Sequence, residues 1–404
     1  MELTAVRTLP SPLDSRRLRL EGDVTYDDRP GEVESYWFDL DAQYGGDLSR
    51  SGNPWLACLL PLAVTLGQPL RLCLPVDRVL AGNVDRLMQI WARWYPGLKA
   101  VPVHAEPEET RRETASEVAS LFSGGVDSFH AVLRNAEEND REAFPEIRRL
   151  LCVWGFDIPL SAPDQFSRLR SRLSEAARDL GKEFLDVGTN LRETRFRSAR
   201  WGRLSHGCAL AAVGLVLGRR FDTIYFASTN PKGLLVPWGS HPETDTLLST
   251  SVTRIIHYGT DVGRSEKTEY ISRSDVAMRS LHVCFQSGSA ENCGACRKCY
   301  LTMLSLDVIG ALSRCRTFPQ EPLDLRKVRR IYTEHAANDQ IFRDLADRAA
   351  AVGRSDIASA VHRCLRRSRR VARLLSVLQL FSEKRFLWRV SKWLQPIVLA
   401  GTIR

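Results

Sequence analysis

The segment Leu121-Phe122-Ser123-Gly124-Gly125-Val126-Asp127-Ser128-Phe129 constrains the fold more than any other. An apolar run ends in a serine and two glycines and passes directly into residues with helical spacing, so strand must become helix within one tight turn. Glycine permits that turn and lets backbone N–H groups approach an anion without side-chain interference. The free N–H groups and positive dipole end of the following helix point at the same place. Ser123 and Ser128 add hydroxyls, and Asp127 is placed to hold a magnesium ion against phosphates. The Gly-Lys-[Ser/Thr] ending of a Walker A loop is absent.

The flanking pattern sets the architecture. Apolar strands at 118–122, 150–156, 184–187 and 223–227 alternate with helices at 128–138, 164–180 and 205–219, which predicts a doubly wound parallel α/β sheet. Ligands of such sheets sit outside the carboxyl ends of the strands, here marked by Ser123, Asp157, Thr189 with Asn190, and Ser228 to Asn230. Before this core, a hairpin over 17–40, helices at 54–66 and 77–95, and strands at 70–75 and 100–104 predict a small α+β domain over 1–105. The charged stretch 106–114 reads as a linker. After the core come a long Pro/Gly/Ser-rich loop at 229–250, a strand at 252–258, and helices only from about 322. The expected division is therefore 1–105, 116–320 and 321–404, the last a helical region.

Two further motifs carry chemistry. Ser265-Glu266-Lys267-Thr268-Glu269 opens a helix beginning near Arg264, with Ser265 as its expected cap. Cys284, Cys293, Cys296 and Cys299 place four thiols within sixteen residues, Cys284 arriving from a preceding strand. Four thiolates suit tetrahedral zinc with no open position, with an iron–sulfur cluster as the competing occupant. Cys58, Cys73, Cys152 and Cys208 lie in apolar surroundings and read as small core residues. His206 reads as a helix-start cap, and Trp91, Trp94 and Tyr95 as packing.

Composition excludes several classes. No apolar run is long enough for a membrane span, no secretory leader is apparent, and the cysteine usage is that of a reduced compartment, so a cytoplasmic protein is expected. The formal charge is +9, yet residues 361–404 alone hold eleven Lys and Arg against Glu383. The basic character belongs to the tail. Six arginines crowd 363–373, and Phe386, Val390, Trp393 and Ile397 recur at helical spacing, with Pro396 expected to end or kink that helix. Such a tail would dock an acidic partner, RNA or protein.

On the loop Ser123-Gly124-Gly125-Val126-Asp127-Ser128, the chain resembles the PP-loop ATP pyrophosphatase superfamily, whose signature is Ser-Gly-Gly-x-Asp-Ser after the first strand. The resemblance implies ATP and Mg2+ as cofactors, and cleavage to AMP and pyrophosphate with adenylation of a substrate. It also makes Lys267 of the Lys-Thr-Glu element a phosphate-contacting lysine. The Cys-x8-Cys-x2-Cys-x2-Cys spacing narrows the resemblance, over 118–312, to the 7-cyano-7-deazaguanine synthases, whose corresponding cysteines bind structural Zn2+. Implied are a deazapurine carboxylate substrate and ammonia or an amine as nucleophile, giving an amide or nitrile. The chain departs from that family at 228–245, where it reads Ser228-Thr229-Asn230-Pro231-Lys232-Gly233 and Trp238-Gly239-Ser240-His241-Pro242-Glu243-Thr244-Asp245. The regions before 105 and after about 312 also lie outside the family pattern. Other expectations that share the loop are tRNA sulfur transfer and a non-catalytic nucleotide-binding protein.

Overall fold

A computed structural model describes residues 1–108, 115–333, 336–382 and 402–403, without the side chains of 377–382. The aromatic stripe expected at 386–397 lies outside the described residues. Two compact units emerge: Met1–Thr229 with Leu235–Thr260, and Asn230–Leu234 with Asp261–Arg404.

The strands of the first unit are β1 (Glu2–Pro10), β2 (Arg17–Tyr26), β3 (Arg29–Asp41), β4 (Leu70–Leu72), β5 (Val76–Asp77), β6 (Val103–His104), β7 (Pro107–Glu108), β8 (Glu117–Leu121), β9 (Arg149–Trp154), β10 (Glu183–Thr189), β11 (Phe221–Ala227) and β12 (Arg254–Tyr258). Ten form one mostly parallel sheet in the order β12-β11-β8-β9-β10-β3-β2-β1-β4-β6, and β5 pairs with β7 apart from it. Its helices are α1 (Asn53–Leu66), α2 (Arg78–Trp94), α3 (Val126–Glu137), α4 (Pro163–Asp179), α5 (His206–Leu215) and the short α6 (Pro242–Asp245).

The parallel half is Rossmann-like. From β8 the chain steps outward to β9 and β10, then returns across β8 to β11 and β12. Right-handed crossovers put α3 and α4 on one face and, after the reversal, α5 on the other. The reversal makes the β8–β11 boundary the topological switch point, where strand ends diverge and leave a crevice. Helices α1 and α5 pack on each other. Both are apolar all round, as helices enclosed on every side are, and Pro54 through Val64 are buried without interruption.

The first 105 residues form the expected hairpin and helices, but their strands extend the same sheet. Gly188 pairs with Asp39 and Thr189 with Phe38, antiparallel. Asn190 continues the junction with its side chain: the Trp37 N–H donates to its Oδ1 (2.9 Å) and its Nδ2 donates to Ser35 O (2.8 Å). Arg17 reaches across to Asp186 at 2.8 Å. The physical reason is the edge of β10, whose unpaired backbone groups are covered by the 13-residue β3. The boundary expected near 105 therefore does not separate the compact units. Strand β1, which the hydrophobic pattern does not predict, buries Leu3 and pairs with both β2 and β4.

The second unit is helical: α7 (Arg264–Ser272), α8 (Asp275–Ser280), α9 (Arg297–Val308), α10 (Leu325–Val328), α11 (Ala336–Ala351) and α12 (Ser355–Ser382). It includes the cysteine cluster, which the expected division groups with the phosphate loop. No helix among the described residues is long and apolar enough to cross a membrane.

Candidate functional site

The strand-to-helix loop forms as the residues require. The Phe122 N–H still donates to Leu151 O (2.8 Å), so the sheet ladder runs one residue past β8. Gly124 then adopts φ +75°, the left-handed region where a side chain is strained. Gly125 is the N-cap of α3 in extended conformation, without a side-chain cap, and the first-turn N–H groups behind it have no intrahelical partner. Both serine hydroxyls brace the loop itself: Ser123 Oγ accepts from the Gly125 N–H (3.3 Å), and Ser128 Oγ donates to Gly125 O (3.0 Å). Ser123 is exposed and Ser128 buried. Asp127, half-buried in the first turn, accepts from Thr229 Oγ1 at 3.3 Å. That contact ties the end of β8 to the end of β11 across the switch point. Ser228 continues the neighbouring ladder, its N–H donating to Tyr258 O (2.8 Å).

Not every polar strand end serves a site. Asn190 is spent on the β3 junction, and Gly155, at φ +100°, stands where a Cβ would come within 2.0 Å of Thr189 O. Those two positions hold the strand ends together.

Beside them lies a group that single residues in the sequence only hint at. Phe156 meets Trp201 edge-on at 4.7 Å, and His206 lies 5.0 Å from Trp201. Arg192 stacks over Trp201 (4.8 Å) and donates to Phe156 O (2.7 Å). The indole of Trp238, 37 % exposed, covers Gly202, where a Cβ would meet it at 2.9 Å. Arg200, Arg203 and Arg197 are exposed on the same segment, and Arg200 is the one described non-glycine residue at positive φ, +44°. Such a conformation on an arginine costs strain that local packing must offset. His206 is thus part of an aromatic cluster. Trp91 is core as expected, Trp94 packs on His241 (4.8 Å), and the Tyr95 hydroxyl donates toward Arg203 O and Pro237 O. The clustering of cation and aromatic in Arg192, Arg195, Arg197, Arg200-Trp201 and Arg203 is the sequence signal that marks this segment.

In the second unit the four cysteines converge. Their sulfurs lie within 4.8 Å of one another, and Cys293 Sγ is 3.8 Å from Cys299 Sγ. Thiolates about 2.3 Å from a tetrahedral centre stand about 3.8 Å apart, so the spacing suits one metal ion and is compatible with zinc. All ten cysteines are free thiols. Gly294, at φ +61°, closes the turn that points the Ala295 and Cys296 N–H groups at Cys293 Sγ (3.4 and 3.3 Å). The Cys299 contact pulls the Cys296 thiol below its usual range, while the same contact and burial push Cys299 up. Crowded sulfurs share protons in this way until a cation neutralises them.

Residues 281–284 are irregular rather than strand, and they are held by Asn292, buried, whose Oδ1 accepts from the Val283 and Cys284 N–H groups (2.8 and 3.2 Å). Its Nδ2 donates to Leu281 O and Thr317 Oγ1, so this one amide fixes the approach of the first ligand. An asparagine between cysteines gave no warning of that. Cys73 is exposed, not core, whereas Cys58, Cys152 and Cys208 are buried and have thiols pushed up by burial.

Lys267 belongs to the second unit, in the first turn of α7, and is 1 % exposed. A solvated helix face does not describe it. The helix is capped by Glu266, whose carboxylate accepts from the Gly263 N–H (2.7 Å), rather than by Ser265. Compared with protein-family models, curated proteins and solved structures, the chain finds no match.

Proposed function

We propose that this chain is an ATP-dependent carbon–nitrogen ligase of the PP-loop kind. The observation that carries the reading is the Ser123–Ser128 loop standing at the β8–β11 switch point, with Asp127 joined to Thr229 across it. Backbone N–H groups of Gly124, Gly125 and Val126 would receive the phosphates, helped by Ser123 and Ser128. Asp127 would hold Mg2+, which offsets charge on the leaving pyrophosphate.

A carboxylate oxygen of the substrate attacks the α-phosphorus of ATP, and the α–β bond breaks to release pyrophosphate. Ammonia or an amine then attacks the acyl carbon of the adenylate, and AMP leaves, giving an amide. Repetition with a second ATP dehydrates a primary amide to a nitrile. No protein nucleophile is needed; the protein aligns the reactants and stabilises charge. The substrate class is a deazapurine carboxylate such as 7-carboxy-7-deazaguanine. The cluster of Phe156, Trp201 and Trp238 supports a planar ring nearby, and Arg200 and Arg203 supply cations for its carboxylate. The cysteine cluster holds structural Zn2+ and takes no part in the chemistry.

Incubation with ATP, Mg2+, ammonium and 7-carboxy-7-deazaguanine should yield AMP, pyrophosphate and an amide or nitrile by mass. ADP and phosphate as the main products would overturn the phosphate-loop assignment. AMP formation with other carboxylates but not this one would overturn only the substrate.

A further inference from the structure

The face of α12 opposite its core contacts carries an arrangement that ligase chemistry does not use. Ile357, Val361, Cys364, Leu365, Ser368 and Val371 are buried. The buried side is anchored to the preceding segment, where Ser368 Oγ donates to Ile331 O (3.1 Å) and accepts from the Thr333 N–H (3.2 Å). The outer side presents Arg363, Arg366, Arg369, Arg370 and Arg373, all exposed. Residues 326–330, on and after α10, add four more exposed cations, and Arg367 links the two elements by donating to Arg330 O (3.2 Å).

What marks the outer side of α12 is five exposed arginines within eleven residues and no carboxylate among them. Several arginines elsewhere pair with carboxylates, among them Arg7, Arg17, Arg149, Arg220, Arg348 and Arg354. Among the described residues, none of the five outward arginines of α12 has one. After Asp356 the helix contains no acidic residue. Like charges three and four apart on a helix repel, so the isolated chain gains nothing from the arrangement.

We infer that the α10–α12 ridge is a docking surface for a nucleic-acid backbone. Residues 363–373 advance about 15 Å along the helix, a length over which duplex DNA presents about nine phosphates. Protein interfaces are anchored by aromatic and apolar residues with charges at the rim. This ridge has no exposed aromatic among its described residues, and Leu374 is its one exposed large apolar side chain. Repeated single-sign cations without such anchors fit sequence-independent phosphate contact. The inference stands independently of the ligase reading.

The test is fluorescence anisotropy of the full-length chain with labelled RNA and DNA oligonucleotides, single-stranded and duplex, the arms showing which backbone it takes. With four phosphates contacted, affinity should fall about 100-fold between about 50 and 200 mM salt. The variant Arg363→Gln/Arg366→Gln/Arg370→Gln/Arg373→Gln should bind at least about 30-fold more weakly at the midpoint of that range and lose about three units of the log–log salt slope. Should that variant fold poorly, Arg366→Gln alone should remove about one unit of slope, while Arg86→Gln on α2 should remove none. The inference is overturned if no oligonucleotide binds saturably at low salt, or if the variants bind as tightly as the parent. Preference for polyglutamate over every nucleic acid would overturn it too, marking a face for an acidic protein.

Discussion

The strand-to-helix loop at 123–128 and the cysteine knuckle are both short turns containing a left-handed glycine, and they are built on opposite principles. In the loop, Ser123 and Ser128 hydrogen-bond to its own backbone and hold its shape, while the first-turn N–H groups of α3 have no intrahelical partner. In the knuckle, backbone and Asn292 hold four side chains so that the sulfurs meet at one point, with Cys284, Cys296 and Cys299 buried. The loop rests on a complete sheet, its strand paired on both sides. The knuckle joins an irregular segment, 281–295, to the start of α9 at Cys296 and Cys299, so an ion there would supply cohesion that no ladder supplies. Damage to the loop should therefore appear in chemistry, and damage to the knuckle in folding.

The largest effect is expected at the knuckle. Cys296→Ser should drop bound metal well below one equivalent and lower the melting temperature by about 10 °C or more, since structural zinc contributes about 10 kcal/mol or more to folding. Elemental analysis and calorimetry check this. Iron with visible absorbance in the parent protein would replace the ion assigned. Next comes Asp127→Ala, expected to reduce AMP formation about 1,000-fold through loss of transition-state charge stabilisation, while the melting temperature moves by no more than about 2 °C. A large loss of stability instead would erase the contrast between the two regions.

Much of this was legible in the sequence because the signals are local. The boundary between β8 and α3 follows from two glycines between an apolar run and a helical one, and the metal cluster from the cysteine spacing. The joining of β3 to β10 is not legible, because its two residue pairs, its amide and the nearby Arg17–Asp186 ion pair link positions about 150 or more apart. Nothing in Asn190 or Asp39 taken singly announces a partner so distant. Strand β1 went unplaced because Glu2–Pro10 buries only Leu3 and exposes most of the rest, so the alternation of a half-buried strand is faint. Asn292 and the Glu266 cap share one difficulty: a polar side chain satisfying backbone groups looks, in sequence, like any surface residue.

A third prediction sharpens the comparison within the first unit. Gly155→Ala places a Cβ against Thr189 O at a left-handed φ, and should cost about 3 kcal/mol through strain and displaced backbone. Equilibrium denaturation should register it as a shifted midpoint. An unchanged midpoint would mean that the β9 and β10 ends are not held as closely as the close approach requires.

The smallest expected effect is the most discriminating. Asn190 sits at the carboxyl end of a parallel strand, where position alone marks a ligand-binding residue. Its hydrogen bonds say otherwise, because both ends of its amide are committed to β3. Asn190→Ala strands the Trp37 N–H and the Ser35 carbonyl at a partly buried junction, at a cost of about 2 kcal/mol. The Michaelis constants for ATP and for the carboxylate should stay within about twofold, since no transition-state contact is removed. Asn190→Asp separates the two bonds: the carboxylate can still accept from Trp37 N–H, but it faces the Ser35 carbonyl with no proton to donate. It should be no more stable than the alanine variant at neutral pH, and should recover on acidification as the carboxyl gains a proton and becomes a donor. That sign follows from linkage, because the folded state binds the proton more tightly than the unfolded chain does. If Asn190→Ala instead keeps full stability and loses turnover, the strand end belongs to the site, and the division between shape-holding and ligand-meeting residues must be redrawn there.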